Sequence, residues 1–319
     1  MTAQLDDLPL GASTDVPYRQ ANVLHLGSTT TNLRGRLAHR PGVTVVERLG
    51  PRSEQHFSFL VDGQLEPIGG GHTVRGVALS GNGEWAAWVE EEHVAGRGYR
   101  RTFDYWTVLY DTRAQRELGR HYQRRSVAWE DGINAVWLRG VNNAGQVFTS
   151  SDDHKLVMWR PGAEPIPVRG ARFRGRPVDV WPGGFSYYWK GLFGLRGEKI
   201  GTVDEAGTFV EVDRTGSSPS YNFWSPEGLR MVLQRDALIE LEDPVTEERA
   251  ALPPLPDGGT NGPDAADFTW EDDQTLLIAD EFGGRWALLR CRVGAPACER
   301  VPIADEKHQI RLPYSDLLG

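Results

Sequence analysis

The feature that most constrains the fold is a tight turn that recurs along the chain between two extended apolar runs. The segment RGVALSGNGEWAAWVE shows the shape, with Gly and Asn supplying the turn. Successive turns of this first type are separated by 41, 62, 39, 44 and 46 residues, and they centre on Gly42, Gly83, Gly145, Gly184, Gly228 and Gln274. A regular interval of this length predicts a repeat architecture.

A second type of hairpin turn alternates with the first. Its turns centre on Asp62, Thr112, Gly162, Ala206, Val245 and Ala295. Two interleaved hairpins in about 45 residues make one four-stranded antiparallel blade, which is the repeat of a β-propeller. The sequence therefore predicts an all-β fold of such blades, with residues 21–319 as a single propeller domain.

The two ends of this domain are expected to combine in a closing blade. The N-terminal hairpin Asn22–Gly35 turns near Gly27 and has no first-type hairpin before it, whereas His308–Tyr314 adds an unpaired extended run. Their pairing would remove the exposed edge that a ring otherwise leaves. This arrangement favours seven blades, with six blades and decorated termini as the alternative.

The long interval of 62 residues contains a polar insertion, Glu90–Arg101, which we expect to be an exposed loop. Short basic patches occur at Arg100–Arg101, Arg124–Arg125 and Arg172–Arg176, and they are expected to be solvated loops. The net charge of −9 disfavours nucleic acid as a partner, because phosphates attract clustered lysine and arginine. We expect a monomer.

The two cysteines predict where the protein resides. Cys291 and Cys298 flank a Gly-Ala-Pro turn, so they would face each other across a hairpin within reach of a disulfide. Two buried free thiols are the alternative. A disulfide predicts an oxidising, extracytoplasmic location at the cell surface or envelope. The N-terminal segment 1–20 lacks a basic and an apolar stretch, so we interpret it as a linker from a signal or membrane anchor outside this chain.

The turns SGNGEW, SPEGLR and EDDQTL, each followed by apolar residues, resemble those of WD-repeat-like propellers. The run LLRCRVGAPACERV and the later LPY resemble extracytoplasmic propeller proteins of actinobacteria. The recurring pair of Gly-His and Trp-Asp dipeptides that marks each true WD repeat is missing from the chain. The resemblance implies tethering to a membrane outside the cell, and it implies no particular biochemical activity.

Motifs for catalysis, metals and cofactors are sparse in the sequence. There is no G-x-S-x-G nucleophile elbow, and the eight histidines are dispersed. The SSDDH segment at 150–154 is interpreted as a solvated turn rather than a ligand set. The IGGGH segment at 68–72 lacks the Lys-Ser/Thr of a phosphate loop. We therefore predict no catalytic residues, no metal and no cofactor.

The candidate ligand-binding residues come from two segments. The aromatic segment 178–193 contains Trp181, Tyr187, Tyr188 and Trp189, which suit a sugar- or peptide-binding platform at the rim of a blade. Packing between blades is the competing interpretation of these aromatic residues. The insertion supplies Tyr99 and Arg100 as a second candidate, against the alternative that it is a disordered excursion.

Three functions are compatible with these observations. We favour a non-catalytic binding or scaffold propeller that holds a protein, peptide or glycan on one face. The first alternative is a hydrolase or lyase whose acidic and histidine side chains converge at the mouth of a central channel. The second is a structural sensor domain within a larger, membrane-tethered protein.

Overall fold

The computed structural model describes residues 4–27, 29–33, 35–51, 54–97, 100–128, 135–150, 156–170, 178–180, 184–190, 196–215, 224–229, 231–235, 238–243, 246, 248–256, 267–314 and 316–318. Apart from a 3-10 turn at Leu5–Asp7, the regular elements in these ranges are β-strands. None of the described residues forms a helix with the length and apolar character needed to span a bilayer.

The strands are numbered along the chain, and the first seven are β1 (Tyr18–Gln20), β2 (Val23–Leu26), β3 (Thr29–Asn32), β4 (Arg36–Arg40), β5 (Val43–Leu49), β6 (Gln55–Val61) and β7 (Gln64–Pro67). The next eight are β8 (Thr73–Leu79), β9 (Trp85–Arg97), β10 (Arg100–Asp111), β11 (Arg116–Ala128), β12 (Trp137–Val141), β13 (Val147–Ser150), β14 (Leu156–Trp159) and β15 (Ile166–Pro167). The following seven are β16 (Val178–Asp179), β17 (Phe185–Lys190), β18 (Arg196–Val203), β19 (Phe209–Thr215), β20 (Met231–Arg235), β21 (Leu238–Glu242) and β22 (Arg249–Ala251). The last six are β23 (Asp267–Asp272), β24 (Thr275–Phe282), β25 (Arg285–Arg292), β26 (Glu299–Val301), β27 (Ile310–Arg311) and β28 (Asp316–Leu318).

Within the described residues these strands form seven sheets. Their orders are β4-β5-β6-β7, β12-β13-β14-β15, β16-β17-β18-β19, β23-β24-β25-β26, β20-β21-β22, β27-β1-β2-β3 and β11-β10-β9-β8-β28. Strands that follow one another in sequence therefore lie side by side, as in propeller blades. The predicted fold class, an all-β chain of four-stranded antiparallel blades, is confirmed. That there are seven blades stays a prediction.

The predicted turns separate the strands as expected. Gly42, Gly83, Gly145 and Gly228 have φ values of 79°, 72°, 69° and 73°, a region that favours glycine. In the second series, Asp62 lies between β6 and β7, and Thr112 lies between β10 and β11. The predicted turn at Val245 lies outside the described residues.

The chain divides into two compact units, of which the first comprises residues 1–39 and 219–315. Here strands from the N-terminal and C-terminal regions share a sheet, because Arg19 and Gln20 of β1 lie opposite Arg311 and Ile310 of β27. The expected pairing of an N-terminal hairpin with a C-terminal strand is thus confirmed. Ile310 is fully buried in a cluster that includes Val16 and other apolar residues of this unit.

The segment predicted as a linker, residues 1–20, has ordered contacts within this unit. Leu5 and Leu8 are buried in a cluster with Trp270 and Leu289. Arg290 donates hydrogen bonds to the backbone carbonyl oxygens of residues 12 and 13, at 3.0 and 3.2 Å. That the segment leads from a signal or anchor stays a prediction, as does the single-domain assignment of residues 21–319.

The disulfide predicted between Cys291 and Cys298 is present, with a Cα–Cα distance of 4.4 Å. It closes the hairpin between β25 and β26, and both cysteines are fully buried. The Cys298 sulfur lies 3.9 Å from the carbonyl oxygen of Pro253. The bond therefore joins the apolar cluster of this unit.

The second unit comprises residues 40–218 and 316–319 and contains the longest strands of the described chain. The described residues of the insertion predicted as an exposed loop are strand instead: β9 continues to Arg97 and pairs with β10, which begins at Arg100. The prediction was wrong because polar residues here are held by the backbone hydrogen bonds of a ladder. For the same reason Arg101 and Arg124 lie in strands and not in solvated loops, whereas the patch 172–176 lies outside the described residues.

Candidate functional site

The aromatic residues predicted to bind a ligand lie mainly on one strand. Tyr187, Tyr188 and Trp189 are in β17, where they lie opposite Lys199, Glu198 and Gly197 of β18. Trp181 lies outside the described residues. The binding role of these residues stays a prediction.

The second predicted pair is placed in a different sheet. Arg100 is the first residue of β10 and lies opposite Arg97 and Ala128, while Tyr99 lies outside the described residues. Because β10 and β17 belong to separate sheets, the structure does not bring the two sets of candidates together on one sheet. A binding role for Arg100 also stays a prediction.

The long strands β9, β10 and β11 carry a further set of side chains on one face, which we call the aromatic face. Trp106 lies opposite both Glu90 and Tyr122, and Asp104 lies opposite both Glu92 and Arg124. Residues directly opposite in a sheet, and residues two apart along a strand, project from the same side. The register therefore collects aromatic, acidic and basic groups on one surface.

A row of three rings forms the centre of the aromatic face. The His72 and Trp106 ring centroids are 4.7 Å apart with an angle of 28° between planes, which is a stacked arrangement. The Tyr122 ring follows at 5.8 Å from Trp106, tilted by 45°. Tyr122 is 48% exposed, although it is a large aromatic residue. Exposed rings of this kind are common contact surfaces in protein recognition.

His72 reaches the row from a loop of three glycines. Gly69, Gly70 and Gly71 have φ values of 98°, 48° and 106°, and the His72 N–H donates to the Gly69 carbonyl oxygen at 2.7 Å. A Cβ on Gly70 or Gly71 would meet nothing within 4 Å. The loop thus leaves bare, accessible backbone beside the imidazole, where a ligand can approach closely.

Asp104 is the best-satisfied carboxylate of the face. Arg124 donates to its two oxygens from Nε and Nη2 at 2.7 and 2.8 Å, and the Tyr122 hydroxyl donates to Oδ1 at 2.9 Å. The hydrogen bond from Arg124 lowers the pKa of Asp104 below its ordinary value. The pKa of Tyr122 is raised, first by desolvation and then by its hydrogen bond to Asp104. These contacts hold the Tyr122 ring in place.

A second charged group lies nearer the body of the sheet. Glu90 is buried and accepts a hydrogen bond from Trp88 Nε1 at 2.8 Å, and Arg120 Nη1 is 3.4 Å from its other oxygen. Arg120 also donates to both oxygens of Glu117, at 2.8 and 2.6 Å, which lowers the pKa of Glu117. The guanidinium of Arg120 therefore interacts with two carboxylates, those of Glu90 and Glu117.

The inner end of the same face is apolar and packed. The Phe59 ring of β6 lies 5.0 Å from Tyr110 and 6.2 Å from Trp88, measured between centroids. Val108 of β10, which lies opposite Trp88, is fully buried. This cluster anchors the inner half of the strands, so the ring row extends from a rigid base.

On the opposite face of β9, a carboxylate and an indole already hold an arginine of the chain itself. Arg75 Nε lies 2.6 Å from Glu91 Oε2, and the Arg75 guanidinium lies 5.2 Å from the centre of the Trp137 ring. A carboxylate and an indole therefore hold one guanidinium between them. Ion pairing and cation–π attraction act together at this site.

The residues of the aromatic face were not identified from the sequence. RTFDYWTVLYDT at 101–112 alternates aromatic and polar residues, but the sequence predicts a solvated loop for Arg124. Their convergence depends on the register of β10 with β11 and on His72, which comes from a distant loop. The sequence alone does not reveal the register of these paired strands. Within the described residues, no group of three or more metal-ligating side chains is present.

Comparisons with known proteins add little. No family model matches the chain, and no curated protein matches it. Among solved structures, it is similar to TolB from Acinetobacter baumannii, with 11% identity, a TM-score of 0.36, and coverage of 93% of this chain and 65% of TolB. It is also similar to a periplasmic gluconolactonase of Pseudomonas aeruginosa, with 13% identity, a TM-score of 0.41 and coverage of 97% of each chain. A Trypanosoma rangeli sialidase matches at 13% identity and a TM-score of 0.35, over 91% of this chain and 58% of that one.

Proposed function

We propose that the protein is a non-catalytic binding module that holds a protein, peptide or glycan on the aromatic face. The observation that carries the proposal is the row His72, Trp106 and Tyr122, with Tyr122 nearly half exposed. Binding sites commonly combine such rings with a few well-placed polar groups. Asp104 and Arg124 supply those groups beside the row.

The protein is proposed to act outside the cytoplasm, at the cell surface or envelope. The Cys291–Cys298 disulfide supports this location, because disulfides persist in oxidising compartments. The resemblance of LLRCRVGAPACERV to extracytoplasmic actinobacterial propellers supports it as well. Fractionation of the producing cells with detection by antibody tests the location. Recovery in the cytoplasmic fraction alone would contradict it.

The binding proposal is tested by capture of partners on the immobilised protein. Envelope extract of the producing organism is passed over wild type, Tyr122→Ala and Tyr122→Phe, and bound protein and glycan are identified by mass spectrometry. Tyr122→Ala removes the ring, so it is expected to reduce capture at least fivefold. Tyr122→Phe keeps the ring and is expected to retain most of the capture.

The control variant is Leu49→Ala, which truncates a residue that is 67% exposed at the end of β5. Leu49 lies outside the ring row, so capture is expected to be unchanged. Circular dichroism and the unfolding midpoint confirm that each variant is folded. Equal capture by wild type and Tyr122→Ala would exclude the aromatic face as the binding site.

A further inference from the structure

We infer that the group received by the aromatic face is an arginine side chain of a partner polypeptide. The inference rests on the proposed binding function and names the chemistry of its ligand. It follows from the charges on this face, from the geometry of the rings and from a matching arrangement on the other face of β9.

Charge is the first line of evidence. Among the described side chains of this face, Asp104 and Arg124 neutralise each other, whereas Arg120 is shared by Glu90 and Glu117. Glu92 has a 56% exposed side chain, and the imidazole of His72 lies 4.0 Å from its carboxylate. The face thus carries more carboxylates than guanidiniums. An incoming cation would complement that excess.

The rings supply the second line of evidence. Glu92 lies opposite Asp104, one step along the same face from Trp106, and its carboxylate borders the imidazole that stacks on that indole. A cation placed against Trp106 and Tyr122 would gain attraction from the ring faces while Glu92 balances its charge. The planar guanidinium of arginine suits both contacts at once, since it stacks on rings and pairs side-on with carboxylates.

The third line of evidence is the pattern repeated across β9. Glu91 and Trp137 hold the guanidinium of Arg75 on one side of the strand. The adjacent residue Glu92, with Trp106, presents a carboxylate and an indole on the other side. On the first side the chain provides its own arginine. We infer that on the second side the partner provides it.

The test uses four capped pentapeptides with a central arginine, citrulline, lysine or glutamate between glycines. Citrulline has the shape of arginine without its charge. Binding to the full-length, ¹⁵N-labelled protein is followed by the backbone amide shifts of residues 104–106 and 120–124. The arginine peptide is expected to shift these amides, and the citrulline peptide is expected to bind about three- to tenfold more weakly.

Two variants locate the contact. Glu92→Gln is expected to weaken binding of the arginine peptide about threefold or more and to leave binding of the citrulline peptide unaffected. Glu205→Gln removes an exposed carboxylate in the turn between β18 and β19 and is the matched control, expected to leave binding unchanged. Raising the salt concentration should weaken binding of the arginine peptide and leave binding of the citrulline peptide unchanged.

The outcomes separate the ligand inference from the binding proposal. Equal binding of arginine and citrulline peptides, preference for glutamate, or no shift with any peptide would overturn the arginine assignment. Stronger binding of lysine than of arginine would overturn it too. The binding proposal itself is decided by partner capture on Tyr122→Ala, which does not depend on these peptides.

Discussion

The side-chain oxygen of Asn143 accepts a hydrogen bond from the backbone N–H of Asn82 at 3.0 Å, and this contact joins the turns of two neighbouring sheets. Trp85 strengthens the connection, because its Nε1 donates to the Asn143 carbonyl oxygen at 3.1 Å. Both turns belong to the first series of the repeat. The repeat thus connects successive sheets through its turns, in addition to the apolar cluster between them.

Replacing Asn143 with Ala is expected to lower the free energy of unfolding by about 1 kcal/mol, because the half-buried Asn82 N–H loses its acceptor. Asn143→Asp keeps an oxygen at the same place and should retain most of the stability. Urea unfolding followed by tryptophan fluorescence measures both. Equal stability of the Ala and wild-type proteins would show that water replaces this contact at no cost.

Gly83 is expected to be less replaceable than Gly42, although both have positive φ. A Cβ on Gly83 would clash with the backbone carbonyl oxygen of Pro41, whereas a Cβ on Gly42 would meet nothing within 4 Å. Gly42→Ala should cost about 1 kcal/mol from the backbone conformation alone, and Gly83→Ala should cost clearly more. Thermal unfolding of the two variants side by side tests the difference. Similar midpoints would mean that Pro41 moves aside easily.

Glu271→Gln is expected to destabilise the protein at neutral pH by about 1–3 kcal/mol. Burial opposes ionisation of Glu271, but hydrogen bonds from Arg290 at 2.6 and 2.8 Å and from Thr14 at 2.8 Å outweigh it and lower its pKa. A carboxylate with a lowered pKa contributes stability above its ordinary value of 4.5, and the contribution is lost as the pH falls through the lowered value.

Chemical unfolding of Glu271→Gln and wild type across this acidic range provides the measurement. The two stabilities should converge as the pH falls. Thr14→Val is the matched control, because it removes the hydrogen bond to Glu271 and the one that Thr14 Oγ1 accepts from the Val16 N–H, at about 1 kcal/mol each, while leaving the Arg290 pair intact. A difference between Glu271→Gln and wild type that does not change with pH would exclude an electrostatic cause.

Replacing both Cys291 and Cys298 with Ala is expected to lower the free energy of unfolding by about 2.5 kcal/mol, as the chain-entropy account predicts for so short a loop. Both positions are fully buried, so small apolar side chains are tolerated there better than serine. Guanidinium unfolding without reductant tests the effect. A loss below about 0.5 kcal/mol would indicate that the hairpin is already closed in the unfolded chain.

The sequence predicted the fold well where turn chemistry is local. Gly42, Gly83 and Gly145 lie in the expected hairpin turns because few other residues adopt positive φ there. The insertion at 90–101 was misassigned because its composition is polar and carries no apolar period. Its described residues form strand because they pair across the sheet, as Glu92 does with Asp104, and this pairing is visible only once the register is known.

The candidate site was less predictable for the same reason. His72 and Trp106 are far apart in sequence, and they stack because a glycine loop returns the chain beside β10. No local pattern encodes that approach. The aromatic segment of β17 was more conspicuous in the sequence because its residues are adjacent, and a run of adjacent aromatics is no guide to which rings converge in space.

Burial is unequal along β9, and under the proposed binding function this separates the part of the hairpin that binds from the part that stabilises the fold. Residues 86–90 of β9 are buried, whereas residues 92–96 are exposed and depend on the ladder for their order. Segments with few apolar contacts open independently of the rest of a domain. Under the proposed binding function, substitutions at the exposed end of this hairpin would alter what is bound while leaving the stability of the sheet that carries it unchanged.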